Sequence, residues 1–225
     1  MPKNIVLLFL SLMLFFPPVN LLGMDSEEIF NELKTNKWET RLLNDKGIEA
    51  FKNKSNFDNL IGIIDNRGID WRIRIRGIKL LGETRTPEAA TNLVRMFNDT
   101  FFSHECPSIK SYVAAALGNY KDDTTVVLAL IDGLKDREIL VREESAKSLG
   151  RVGNPMAVPY LVEALKDRSF AVRINAIRSL ALIGDFRAYP HLKQIMDDRQ
   201  EDPVIRDAAS SAVELLLAKK NSGVH

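Results

Sequence analysis

A basic residue, almost always preceded by an aliphatic one, returns along this chain at a nearly constant interval. It stands at Arg41, Arg74, Lys110, Arg142, Arg173 and Arg206, in steps of 33, 36, 32, 31 and 33 residues. The residue before it is Thr40, Ile73, Ile109, Val141, Val172 or Ile205, and the residue seven after it is Ile48, Leu81, Leu117, Leu149, Leu180 or Val213. Three before it sit Trp38, Trp71, Pro107, Ile139, Phe170 and Pro203, apolar or helix-starting residues suited to fixing how the chain enters a helix. Self-similarity at a period of roughly 20 to 50 residues restricts a chain to stacked arrays, because one unit cannot cover its own apolar face.

The stretch 139–167 shows what one unit contains. Val141, Ala146 and Leu149 form a helical stripe that stops at Gly150 and Gly153, and a second stripe restarts at Pro155 with Val158, Leu161, Val162 and Leu165. The expected unit is two short antiparallel helices and a tight turn, with the basic residue on the first helix. This phase gives helices at 38–51 and 57–65, at 71–81 and 87–98, and at 107–118 and 124–135, then the reference unit, then a fifth repeat over 170–198. A capping helix over residues 24–36 is expected ahead of them, with Ile29, Phe30 and Leu33 on one face. A last helix at 203–219, with no helix after it, closes the other end before a tail at 220–225.

VREESAKSLGRVGNP, VRINAIRSLALIGD and IRIRGIKLLGETRTP, with Asp136-Arg137, Asp167-Arg168 and Asp198-Arg199 closing the second helices, resemble HEAT repeats. The likeness is greatest to the short HEAT-like version shared with phycobilin lyases, and it covers residues 37–219. The resemblance implies an all-α fold, an α-α superhelix of the HEAT-like right-handed α-solenoid kind, with about five two-helix repeats and capping helices at the ends. The first repeat departs from the pattern, carrying Asn44 and Asp45 where small or apolar residues belong. Neither the Trp/Gly/Tyr signature of tetratricopeptide repeats nor a full Thr-Pro-Leu-His of ankyrin repeats is present.

Residues 1–23 hold one charge, Lys3, an apolar run from Ile5 to Phe16 and then Pro17-Pro18, the layout of a secretory signal peptide. The expected destination is therefore the periplasm or the cell exterior, with a membrane tether through residues 5–16 as the alternative if the leader is kept. Without those residues the chain has 30 basic and 30 acidic side chains mixed along every repeat, which argues against a nucleic-acid backbone as partner.

The longest step leaves an insertion at residues 99–108, DTFFSHECPS, which must project from the stack. Its Phe101 and Phe102 either pack beneath the loop or anchor a partner. His104, Glu105 and Cys106 are the one dense cluster of reactive groups, yet a closed metal site takes about four ligands, so no metal, cofactor or catalytic residue is assigned. The sole cysteine has no partner for an internal disulfide. Deoxyhypusine hydroxylases, which resemble this architecture, need several His-Glu pairs where this chain has only His104-Glu105. HEAT-type DNA glycosylases need a basic groove, and phycobilin lyases work in the cytosol.

The resemblance further implies that the second helices line the concave side, around Asn59, Asn92, Asp132, Glu163 and Lys193. These are candidates for contacting a partner, or ordinary solvated positions. The recurring Arg41, Arg74, Lys110, Arg142, Arg173 and Arg206 read instead as a structural ladder, each bonded to an Asp or a backbone carbonyl of the adjacent repeat, with Asp65, Asp136 and Asp167 as candidate partners. The expected function is a non-enzymatic scaffold or adaptor that binds a protein or peptide, the alternative being a lyase- or chaperone-like protein acting on a cofactor-bearing protein.

Overall fold

A computed structural model of the chain describes Leu21 and residues 23–99, 107–121 and 123–222. The apolar run Ile5–Phe16 and the loop residues Phe101, Phe102, His104, Glu105 and Cys106 lie outside the described residues. The described part is all helix, with thirteen α-helices and two 3-10 turns and no strand. No described helix is long and apolar enough to cross a membrane.

In chain order the helices are α1 (Ser26–Lys34), α2 (Trp38–Leu42), α3 (Asp45–Ala50), α4 (Lys54–Asp65), α5 (Trp71–Thr84), α6 (Pro87–Asn98) and α7 (Pro107–Leu117). There follow α8 (Thr124–Gly133), α9 (Ile139–Val152), α10 (Val158–Ala164), α11 (Phe170–Ile183), α12 (Tyr189–Asp197) and α13 (Pro203–Ser222). Short polar side chains start many of them. Asp25 and Glu28 close a reciprocal capping box on α1, and Asn53, Asp70, Thr86 and Asp123 accept backbone N–H groups at the starts of α4, α5, α6 and α8.

The first repeat differs from the single helix expected over 38–51, because Asn44 divides it in two. Its Nδ2 donates to the carbonyls of Thr40 and Arg41 that end α2, while its Oδ1 accepts from Gly47 N at 3.0 Å to begin α3. Asn44→Ala removes both terminations, and a loss of about 1 kcal/mol in unfolding free energy is expected from chemical denaturation.

The pairing of helices is also shifted from the expected phase. The closely packed hairpins are α4 with α5, α6 with α7, α8 with α9, α10 with α11 and α12 with α13. The helix carrying the basic residue is therefore the second of its hairpin. The cause lies in the turn. Asp136 Oδ1 accepts Glu138 N at 2.9 Å, Asp167 Oδ1 accepts Ser169 N at 2.7 Å, and Asp198 Oδ1 accepts Gln200 N at 2.9 Å, so each Asp-Arg pair folds the chain tightly into the next helix. The last helix, α13, has its partner before it, in α12. At the other end α1 packs on α4 and α5.

Stacking the five hairpins makes two layers. The inner-packed layer, α5, α7, α9, α11 and α13, is held by direct contact of each helix with the next, whereas α4, α6, α8, α10 and α12 make fewer contacts along their own layer. Small residues set this difference. Gly150, which lies inside α9 rather than ending it, faces Ser179 of α11 so closely that an added Cβ would stand 2.7 Å from Ser179 Cβ and 2.8 Å from its Cα. The helix ends at Gly153, whose φ of 78° is left-handed. Ser148 and Ser179 fill the same seam, donating to the Ala114 and Ala146 carbonyls at 2.8 Å each. One continuous apolar interior runs between the layers from Met24 to Leu216 and takes in the recurring Val141, Leu149, Val172 and Leu180, all fully buried.

Candidate partner-binding groove

Arg142 and Arg173 sit near the starts of their helices and reach back to the hairpin turns before them. Arg142, only 5% exposed, donates Nε and Nη2 to the two carboxylate oxygens of Asp167 at 2.8 and 3.2 Å, and Nη1 to the carbonyls of Asp136 and Arg137 at 2.9 and 3.1 Å. One guanidinium thus grips the turn before its own helix and the carboxylate that ends the helix after it. Burial pushes the Asp167 carboxyl up, but the Arg142 hydrogen bonds and the Ser169 amide together hold it below the usual range.

Arg173 repeats the arrangement loosely, with the Asp167 carbonyl at 3.1 Å and Glu201 at 3.5 Å. Lys110 reaches Asp136 at 2.7 Å and lies over the Phe97 ring, and buried Arg74 donates to the Ile64 carbonyl at 2.8 Å. Two members differ from the expected bonding. Arg41 pairs with Glu32 of α1 at 3.0 Å, and Asp65 pairs with Arg95 rather than with a ladder residue. Arg206 makes no ion pair among the described residues.

A groove of about 580 Å³ crosses the helices that carry these basic residues, on the face opposite the α4, α6, α8, α10 and α12 layer. Its walls come from four successive repeats, from Glu39 in α2 through Lys79 and Glu83 in α5 and Tyr112 in α7 to Leu140, Glu144, Lys147 and Arg151 in α9. Side chains of four successive helices thus border one space. A second groove of about 540 Å³ continues the same face between α11 and α13, lined by Ile174, Arg178, Leu182, Val204, Ala208 and Leu215. Three of these aliphatic side chains are well exposed, Leu182 at 60%, Val204 at 57% and Leu215 at 54%. The register is simple. Residues two before and two, five and nine after each recurring basic residue share one helical face, and that face lines both grooves.

Asn59, Asn92, Asp132, Glu163 and Lys193 lie elsewhere, on the other layer. Asn59 is committed to the Met24 carbonyl at 2.9 Å, Asn92 to the Glu88 carbonyl at 3.0 Å and Lys193 to Asp197 at 2.9 Å. Asp132 is exposed, and Glu163 lines a cleft of about 580 Å³ between α10 and α12 with His191. None of the five lines the groove that crosses four repeats. The groove residues themselves were within reach of the sequence, since the period that exposes the recurring basic residue also gives every other position on its helix; what hid them was the phase. Among the described residues no three His, Cys, Asp or Glu side chains converge as a metal site would require. The most strongly shifted group, Tyr120, is raised by burial to about 12 and donates to the Leu81 carbonyl at 3.1 Å, a neutral tie between α7 and α5.

Stacked helical hairpins that share one apolar interior define an α-solenoid of the helical-repeat class. A family model described as HEAT repeats matches residues 99–166 and 127–214, more than half of the sequence, and the chain belongs to the HEAT-repeat family. No curated protein matches it. Among solved structures it is similar to a designed armadillo repeat protein in complex with the peptide (KR)4, at 15% identity and a TM-score of 0.58 over 86% of this chain and all of that one. It is also similar to an engineered protein, at 17% identity and a TM-score of 0.54 over 86% of this chain and 96% of that one. A fainter likeness, 15% identity and a TM-score of 0.36 over 90% of this chain and 98% of that one, is to the two-protein complex of phycocyanin lyase from Nostoc sp. PCC7120.

Proposed function

We propose that the chain is a non-enzymatic HEAT-repeat scaffold that binds an extended segment of another protein along the groove formed by α2, α5, α7, α9, α11 and α13, at the periplasmic or outer side of a cell membrane. The observation that carries the reading is the one face shared by successive repeats, with exposed side chains of mixed character facing a common space. An interior dedicated to stacking leaves the groove positions free to vary from repeat to repeat, which is how a solenoid matches one partner. The armadillo protein of similar fold, in complex with a peptide, supports this mode of use. The apolar leader supports the location.

Photo-crosslinking residues placed singly at Lys79, Tyr112 and Lys147 are expected to capture a partner in cells, while the same residue at Asp132 or Glu163 gives none. Crosslinks confined to Asp132 and Glu163 would refute the groove. Intact mass of the mature chain gives the fate of residues 1–23, and a retained leader would move the protein to a membrane-tethered position.

A further inference from the structure

The apolar side chains of the groove face are unevenly placed. Leu182, Val204 and Leu215, at 60%, 57% and 54%, are the most exposed of the large apolar side chains among the described residues, and all three border the space between α11 and α13. They stand beside a floor of small residues, Ala181, Ala208 and Ala212, so this face carries knobs next to a hollow. Two charged groups line the same space, Arg178 on α11 and Asp207 on α13. Both are exposed, and neither side chain has a hydrogen-bond or ion-pair partner among the described residues. One base and one acid disfavour a segment of either single sign, since each such segment meets repulsion as well as attraction. A balanced pair of this kind matches a surface that holds the same two charges in the opposite order.

We infer that the face of α11 and α13 is an interface with a second copy of this chain, related by a two-fold axis. A two-fold that lays α11 on the other copy's α13 also lays α13 on its α11, so every match is made twice. The repeat fixes what matches. Leu182 and Leu215 each stand nine residues after their recurring basic residues, Arg173 and Arg206, so at equal height along the two helices each leucine faces the other copy's counterpart. In that register Arg178 and Asp207, five and one residues after the same two bases, are offset by one helical turn, about 5.4 Å, which an arginine side chain spans. From Val204 to Leu215 the face runs about 17 Å along the helix and about 20 Å across two helices, the size of a weak, reversible dimer. The partner segment then keeps the four-repeat groove over α2, α5, α7 and α9, and each dimer offers two such grooves.

The test is sedimentation velocity of the full chain from about 1 to about 100 μM. A concentration-dependent dimer is expected, and Leu182→Asp/Leu215→Asp, both exposed and checked for helix content by circular dichroism, should weaken it about tenfold or more. The charges give the sharper result. Arg178→Glu sets acid against acid at both contacts and Asp207→Arg sets base against base, so either variant alone should associate about tenfold or more weakly than wild type. Mixed in equal amounts, the two variants should associate with one another, because every contact is again acid on base. Only an interface that places Arg178 against Asp207 of another copy gives that recovery. A wild type that stays monomeric overturns the inference and leaves the cradle to a different protein. Single variants that dimerise unchanged, or a mixture no tighter than its components, overturn it as well. Crosslinking at Lys79, Tyr112 and Lys147 reads the four-repeat groove and involves none of these substitutions, so either reading can fail without the other.

Discussion

Arg142→Met is expected to lower the unfolding free energy by about 3 to 5 kcal/mol, a large part of the total for a chain of this kind. The substitution keeps roughly the length of the side chain but takes away the guanidinium and its four hydrogen bonds. Asp167 is then left as an uncompensated, largely buried carboxylate, and the Asp136 and Arg137 carbonyls lose their shared donor in the middle of the array. Adding Asp167→Leu should recover part of the loss, because both charges are then absent and only the turn hydrogen bond to Ser169 N goes missing. The acid limb gives an independent check. Asp167 has a folded pKa held below its ordinary value of 3.8, so its contribution is fully present above that pH and fades as pH falls through the lower folded value. Thermal melts of wild type and Arg142→Met should therefore differ most near neutrality and converge in strong acid. A gap that stays constant down to the acid transition would remove the pair from the account of stability.

Gly150→Val is expected to cost about 3 kcal/mol, the upper part of the range for overpacking. Its Cβ would press on Ser179 Cβ and, at 2.8 Å, on Ser179 Cα, and backbone cannot swing aside as a long side chain can. To relieve the contact α9 and α11 must move apart at the seam where the groove layer is tightest. Helicity by circular dichroism should persist while the denaturation midpoint falls. Adding Ser179→Gly to the valine variant should restore part of the loss, since it clears the contact at Cβ while giving up only the bond to the Ala146 carbonyl.

The architecture could be read from the sequence because every repeat must place the same apolar residues toward its neighbours. Val141, Leu149, Val172 and Leu180 recur for that reason, and all four are fully buried. Phase was harder. The connections before and after each basic-residue helix are both short and both rich in turn formers, so periodicity alone does not say which of them closes the hairpin. What decides is hydrogen bonding across one of them, Asp136 and Asp167 capping the turn while Arg142 and Arg173 hold its carbonyls. With the phase displaced by one helix, Asn59, Asn92, Asp132, Glu163 and Lys193 lie on the layer away from the groove that crosses four repeats. Asn44 is the opposite case. It broke the repeat pattern visibly in the sequence, and the structure answers with a physical break between α2 and α3.

The route into the first hairpin has a practical outcome. Asn56 and Asn59, both on α4, donate to the carbonyls of Leu21 and Met24 at 2.8 and 2.9 Å, so the strand of chain ahead of α1 is stitched to the back of the molecule. A tag, dye or surface linkage joined directly ahead of Met24 should accordingly emerge on the α4 side, away from the proposed binding groove, which makes that end the natural handle for immobilising the protein with the groove open to whatever is washed across it.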